Sequence, residues 1–208
     1  RNGKKGPVAL VMGGGAGTGR ATAMAFAREG ARVVVADINE TLAQKTAGLI
    51  QAAGGEALAV RADMARAADI QAVMEAARST WGGLHLVSNN AAAAPPNKAL
   101  TDITEEEWDR CMSVTLRGVW LCLKHELPLI EASGGGAIVN VASLSGLRGD
   151  PHQGAYAAAK GGVLALSKTA ATEYARRGVR VNTVCPGGIA TKGMEFYLQG
   201  MPELRQKT

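Results

Sequence analysis

Three groups of residues in this sequence could do chemistry. The first is Gly13-Gly14-Gly15-Ala16-Gly17-Thr18-Gly19, directly after the apolar run 8–12. Glycines there let the backbone turn sharply and approach an anion with no Cβ in the way. The N–H groups opening a following helix, at the positive end of its dipole, would meet a phosphate. Gly13, Gly17 and Gly19 read G-x-x-x-G-x-G without the Lys-Ser/Thr of a triphosphate loop, which favours a dinucleotide over ATP. The second is Asp37, 18 residues beyond Gly19 at the end of the next apolar run. A carboxylate at that place accepts the ribose hydroxyls of an adenosine and repels a 2′-phosphate, pointing to NAD rather than NADP. Asn39 is at hand to cap the helix that follows, so Asp37 is not needed for that work. The third is the pair Tyr156 and Lys160, four residues apart, which on a helix share a face and bring a phenol and an ammonium to one bound molecule. Such a pair is common by chance, and its weight comes from its company.

The elements that must position these groups alternate along the chain. Short apolar, β-branched runs at 8–12, 32–36, 57–60, 84–87, 137–141 and 179–184 read as strands. Between them, helical patterns occupy 20–29, 40–53 behind Asn39, 67–80, 105–131 and 155–177, with Thr104 and Glu107 spaced as a capping box. Continuous apolar strands alternating with helices predict an α/β fold, a doubly wound parallel sheet of Rossmann type in three layers. In such a sheet ligands bind beyond the carboxyl ends of the strands, where the three groups fall.

Composition excludes other classes. A chain of 208 residues with 47% hydrophobic and 20% charged residues predicts one globular domain over 1–208. The net charge of +5 is scattered and aromatic residues make up only 4%, so no nucleic-acid surface is expected. No apolar run has the ~20 residues of a membrane span, and the opening residues lack the apolar stretch of a secretory signal, so the expected location is cytoplasmic. Cys111, Cys122 and Cys185 are odd in number and suggest no disulfide framework; Cys111 and Cys122 on one helix would stand roughly 16 Å apart. His85, His125 and His152 have no partner at ligand spacing, so no metal is expected.

Taken together, Gly13/Gly17/Gly19, Asp37, Asp63, Asn89-Asn90-Ala91-Ala92, Ser143, Tyr156/Lys160 and Pro186-Gly187-Gly188-Ile189-Ala190-Thr191 resemble, in order and spacing, the short-chain dehydrogenase/reductase family over nearly the whole chain. The resemblance implies strand order 3-2-1-4-5-6. It implies that Gly13, Gly15, Gly17, Thr18 and Gly19 cradle the cofactor, with Asp37 and Ile38 at the adenosine ribose. Asp63 and Met64 would border the adenine, and Asn89 and Ala91 the adenosine ribose. Lys160 and Tyr156 would sit at the nicotinamide ribose, and Pro186, Gly187, Ile189 and Thr191 at the nicotinamide. Ser143 would hydrogen-bond the substrate oxygen while Tyr156 acts as general acid/base. A phenol ordinarily ionises near about 10, so the reading expects Lys160 and the positive nicotinamide ring to lower it.

The sequence departs from the family pattern at named positions. Thr115 stands where the resemblance places an Asn that helps hold a relay water, and would share the catalytic role. Met12 replaces a Thr and Ala92 a Gly, which suggests apolar packing between them; His85 replaces an Asp, and Ala142 takes a place often held by Ser. Relatives of this type continue beyond Thr208 with a helix and a seventh strand. Residues 190–208 are expected to form a substrate flap, with Met194, Phe196, Tyr197, Leu198 and Met201 on one side of an apolar, cyclic secondary alcohol or ketone and Leu144, Leu147 and His152 on the other. The resemblance further implies a homotetramer or homodimer through the helix after Thr104 and the helix of Tyr156, where Ala155, Ala158 and Ala159 suit close approach. A non-catalytic NAD-binding protein and a different reaction on the same scaffold are the alternatives.

Overall fold

The computed structural model describes residues 6–189. Six strands form one parallel sheet in the order β3-β2-β1-β4-β5-β6, as the resemblance implies. They are β1 (Val8–Met12), β2 (Arg32–Asp37), β3 (Ala57–Arg61), β4 (Leu86–Asn89), β5 (Gly136–Val141) and β6 (Val179–Val184). The helices are α1 (Gly17–Arg28), α2 (Glu40–Ala52), α3 (Ala67–Trp81), α4 (Glu105–Cys111), α5 (Gly118–Ala132), α6 (Ser145–Arg148) and α7 (Gly154–Tyr174).

Alternate residues of each strand face opposite layers. On one face Leu10, Met12, Val34 and Val87 pack with Ile70 and Val73 of α3, Val119 and Cys122 of α5 and Val163 of α7. On the other, Ala9, Val11, Val33 and Val35 meet Ala23 of α1 and Ala43, Ala47 and Ile50 of α2. Each fully buried Leu or Met of this kind stabilises the fold by about 1.5–3 kcal/mol. That second layer covers only the β1–β3 half among the described residues, and Leu86, Ala137 and Val139 on the same face are half-buried.

Local signals set the helix starts. Asn39 caps α2 by accepting from the Leu42 N–H (3.1 Å), and Thr104 and Glu107 make both bonds of the capping box that opens α4. The expected single helix over 105–131 is instead interrupted: α4 passes into a π-helical segment, Met112–Arg117, before α5 begins. Such a segment inserts an extra residue and re-aims its side chains. Here it directs Thr115 into the neighbouring loop, a tertiary contact that no local pattern encodes.

Register brings the working ends of the strands level. Met12 pairs with Ala36 and Asn89, and Asn89 with Asn140. The loops leaving β1, β2, β4 and β5 therefore open on one crevice at the carboxyl edge.

Candidate active site

The glycine turn follows β1 directly and folds back on itself. Gly13 N–H and Gly14 N–H both donate to Ala36 O, at 2.8 and 3.0 Å. A Cβ on Gly19 would stand 1.9 Å from Gly13 O, and Gly13 (φ 74°) and Gly17 (φ 52°) hold left-handed backbone that favours glycine. Ala16 at the N-cap of α1 provides no side-chain cap, so the first N–H groups of that helix remain for a ligand. Thr18 lies within this first turn and its carbonyl accepts from the Thr22 hydroxyl. Asp37 accepts from Gly15 N–H (2.8 Å) and Asn39 N–H (2.9 Å), which fixes the carboxylate beside the turn with lone pairs to spare.

A crevice of roughly 290 Å³ runs from this turn along the strand tips. Gly13, Asp37, Ile38, Asp63, Met64 and Ala91 line it, all six of them expected there. Arg110 and Val114 line it too, and sequence reasoning missed both; their place on the turn before Thr115 is the signal that could have found them. An uncapped helix N-terminus, a glycine turn closed to any Cβ and a fixed carboxylate at the second strand tip fit the pyrophosphate and ribose of a dinucleotide.

Asn89 is the exception. Its side chain is 1% exposed and turns into the core, where Nδ2 donates to Glu126 Oε2 (3.1 Å) and Asn140 Oδ1 (2.9 Å). Any part it has at a ribose falls to its backbone. Met12 is buried and Ala92 exposed, and both line this crevice.

Farther along the edge, the loop after β5 and the first turns of α7 bring Ser143, Tyr156 and Lys160 together. The Ser143 hydroxyl lies near enough to the Tyr156 phenol to favour its ionised form. Ser145 N–H donates to Ser143 Oγ (3.2 Å), and the Ser145 hydroxyl donates to Asp150 (2.6 Å), so α6 holds the serine in place. A Cβ on Gly146 would lie 2.7 Å from the Lys160 backbone, which explains how α6 and α7 come so close. Lys160 is buried, donates to Val141 O (2.5 Å) and stands 5.6 Å from the Tyr156 ring centre.

Burial lowers the Lys160 pKa to about 8. Burial likewise pushes the Tyr156 phenol above its ordinary value, opposed by the nearby Ser143 hydroxyl, with Cys111 adding to the rise. In the protein alone desolvation of the phenol sets the direction, while the Lys160 ammonium is engaged by Val141 O. Thr115 makes two bonds to one residue: its hydroxyl donates to Ala93 O (2.8 Å) and accepts from Ala93 N–H (2.9 Å). It fastens the loop after β4 to the π segment, and its hydroxyl is committed there.

Leu144 N–H donates to Pro186 O (3.0 Å), which brings the segment holding Pro186, Gly187 and the exposed Ile189 beside Ser143. Thr191 and the flap residues Met194, Phe196, Tyr197, Leu198 and Met201 lie outside the described residues. Ala155 and Ala159 pack inward against Cys111, leaving Ala158 exposed on that part of α7. His85 works as a structural acceptor for Val8 N–H (3.2 Å), and all three cysteines are free thiols. Among the described residues there is no metal-binding cluster and no helix long and apolar enough to cross a membrane.

The fold and this constellation define a dinucleotide-binding oxidoreductase site, and comparison with known proteins gives the class its name. The family model of short chain dehydrogenases matches residues 7–200, and the chain belongs to that family. Cyclohexanol dehydrogenase of Acinetobacter sp. (strain SE19) is 46% identical over 184 residues, 88% of this chain and 73% of that one. The crystal structure of levodione reductase superposes with a TM-score of 0.92 at 35% identity, covering 97% of this chain and 79% of the other. The 3-ketoacyl-(acyl-carrier-protein) reductase of Brucella melitensis, solved in complex with NADH, superposes with a TM-score of 0.88 at 35% identity, covering 94% and 81%.

Proposed function

We propose that this protein is an NAD-dependent dehydrogenase/reductase that interconverts a small, apolar, cyclic secondary alcohol and its ketone, with Tyr156 as general acid/base. The juxtaposition of the Ser143 hydroxyl with the Tyr156 phenol, and of the Lys160 ammonium with its ring, is the observation that carries the reading. Two hydroxyl groups placed side by side can both meet one substrate oxygen, Ser143 holding it while Tyr156 exchanges its proton. A nicotinamide dinucleotide, when bound, supplies the hydride acceptor or donor.

In the oxidative direction the Tyr156 phenolate takes the hydroxyl proton of the substrate; in reduction the phenol returns it. Lys160, anchored on Val141 O, keeps an ammonium under the phenol ring and within the crevice edge where a ribose would lie. Gly13, Gly15, Gly17, Thr18 and Gly19 hold the pyrophosphate by backbone, and Asp37 with Ile38 takes the adenosine ribose. Pro186, Gly187, Ile189 and Thr191 orient the nicotinamide. Asp37 sets the preference for NAD, since its carboxylate would face the extra phosphate of NADP. The similarity to cyclohexanol dehydrogenase supports a ring-shaped alcohol as substrate.

The protein assembles as a homodimer or homotetramer through the outer face of α4, the π segment and α5. Met112, Leu116 and Trp120 there line an open groove, and Trp120 is 43% exposed. The deciding experiment follows absorbance of reduced nicotinamide across cyclic and open-chain secondary alcohols and ketones, with NAD and NADP in parallel. Turnover of cyclic alcohols with NAD is the expected result. Binding of NAD with no turnover of any substrate would replace this reading by a non-catalytic one.

A further inference from the structure

Below the crevice, on the α3/α5/α7 face of the sheet, a chain of polar side chains crosses four elements. Its direction is fixed from one end. Ser167 on α7 donates to Val163 O (2.7 Å), so its oxygen accepts from Asn140 Nδ2 (2.8 Å). Asn140 Oδ1 then faces Asn89 and must accept from Asn89 Nδ2 (2.9 Å). The same Asn89 nitrogen gives its second proton to Glu126 Oε2 on α5 (3.1 Å). Each of the four residues is at most 2% exposed.

The accounting leaves two atoms without a partner, Glu126 Oε1 and Asn89 Oδ1, and both are acceptors. No donor reaches either of them, and one proton held between the two acceptors would satisfy both. Nor does any cation compensate an ionised carboxylate: no ion pair among the described residues includes Glu126. The groups that face it are Asn89 from β4 and, one turn earlier on its own helix, the Cys122 thiol; through Asn89 the chain continues to Asn140 on β5 and Ser167 on α7. Cys122 is the one titratable group in this set, and burial beside Glu126 keeps its thiol protonated. A lone buried carboxylate with so few donors is costly, whereas a carboxylic acid there is both neutral and a donor.

We propose that Glu126 is a neutral carboxylic acid in the folded protein and a positioning residue: its proton completes the buried network that ties the tips of β4 and β5 to α7, the helix bearing Tyr156 and Lys160. An amide and a protonated carboxyl that share one hydrogen bond are matched to close a second, from Oε1–H to Asn89 Oδ1. The link to the site is short. Asn140 precedes Val141, whose carbonyl anchors Lys160, and Ser167 lies two turns beyond Lys160 on the same inward face. Burial, the dominant influence, raises the Glu126 pKa to about 8, with Asn89 and Cys122 opposing by hydrogen bonds. The consequence for turnover rests on the redox function proposed above; the protonation state does not.

The test compares wild type with E126Q, a neutral side chain of the same shape, and E126A. Infrared spectra of the wild-type protein at neutral pH are expected to contain a carboxylic-acid carbonyl band that is missing from E126Q. An unfolded glutamate ionises near 4.5 and the folded one near about 8. Between those values the unfolded chain binds fewer protons, so wild-type stability falls as pH rises through the window. The melting temperature of E126Q is therefore expected to exceed that of wild type by a margin that widens from about pH 5 to about pH 8 and then levels; Lys160, which ionises at about 8, is common to both proteins and drops out of the difference.

E126Q should keep kcat within about twofold of wild type. E126A should lose about 10- to 100-fold in kcat with little change in the KM for NAD, as expected when reacting groups are displaced but the crevice is kept. Absence of the infrared band together with a flat melting difference would overturn the protonation. The band with wild-type kcat in E126A would overturn the positioning role, and should E126A not fold, kcat falling in folded E126Q above about pH 8 as steeply as in wild type would do so. The band present, with no redox turnover in wild type on any substrate, would count against the proposed reaction alone.

Discussion

The Tyr156 phenol sits half-buried between the Ser143 hydroxyl and a lysine whose ammonium is pinned to a strand carbonyl. Removing the phenol oxygen should abolish proton exchange and leave the dinucleotide crevice untouched. Tyr156→Phe is expected to lower turnover by about 10²- to 10⁴-fold while NAD affinity, measured by calorimetry, stays near wild type. Unchanged turnover would remove Tyr156 from the chemistry. The direction of its pKa adds a second test. In the protein alone burial raises it, so the tyrosinate absorbance that distinguishes wild type from Tyr156→Phe should emerge above the ordinary phenol range. With oxidised NAD present it should emerge at lower pH, because a positive ring nearby favours the phenolate; a rise on binding would contradict the proposed placement of the nicotinamide.

Two irregular connections, between elements, shape the site as much as the regular ones. The π segment turns Thr115 toward the loop after β4, and that hydroxyl satisfies both backbone groups of Ala93. A threonine hydroxyl, donor and acceptor at once, can do this, and a methyl group cannot. Thr115→Val is therefore expected to destabilise the fold by about 1–3 kcal/mol in denaturant titrations, since the Ala93 N–H and carbonyl lose their partner. Loss of the crevice geometry should raise the KM for NAD in the same variant. Thr115→Asn tests the relay separately: a gain in turnover would mean that the threonine limits proton exchange, and an unchanged rate would mean that its fastening of Ala93 is its whole part. The π segment itself was not legible in the sequence, where 105–131 reads as one helix, and neither was its contact with Ala93, 22 residues away.

For the whole molecule, the outer face of α4, the π segment and α5 carries Trp108 and Trp120 at 38% and 43% exposure beside Met112 and Leu116. Trp120→Glu would put a charge into that face, and sedimentation velocity should show a shift toward monomer; a protein monomeric before the change would refute the proposed assembly. The sequence by itself determined the strand positions, the parallel doubly wound sheet, the glycine turn, Asp37 at the second strand tip and the pairing of Tyr156 with Lys160, because period, turn chemistry and helix spacing act within a few residues. It also placed Thr104 and Glu107 as a capping box, for the same reason. Only the tertiary structure decided that Asn89 faces Glu126 and not the crevice, that Arg110 and Val114 line that crevice, that Thr115 is bonded to Ala93, and that desolvation raises Tyr156 where a nearby lysine alone would lower it. Each of these depends on which groups burial brings together across distant parts of the chain, and local spacing carries no record of that.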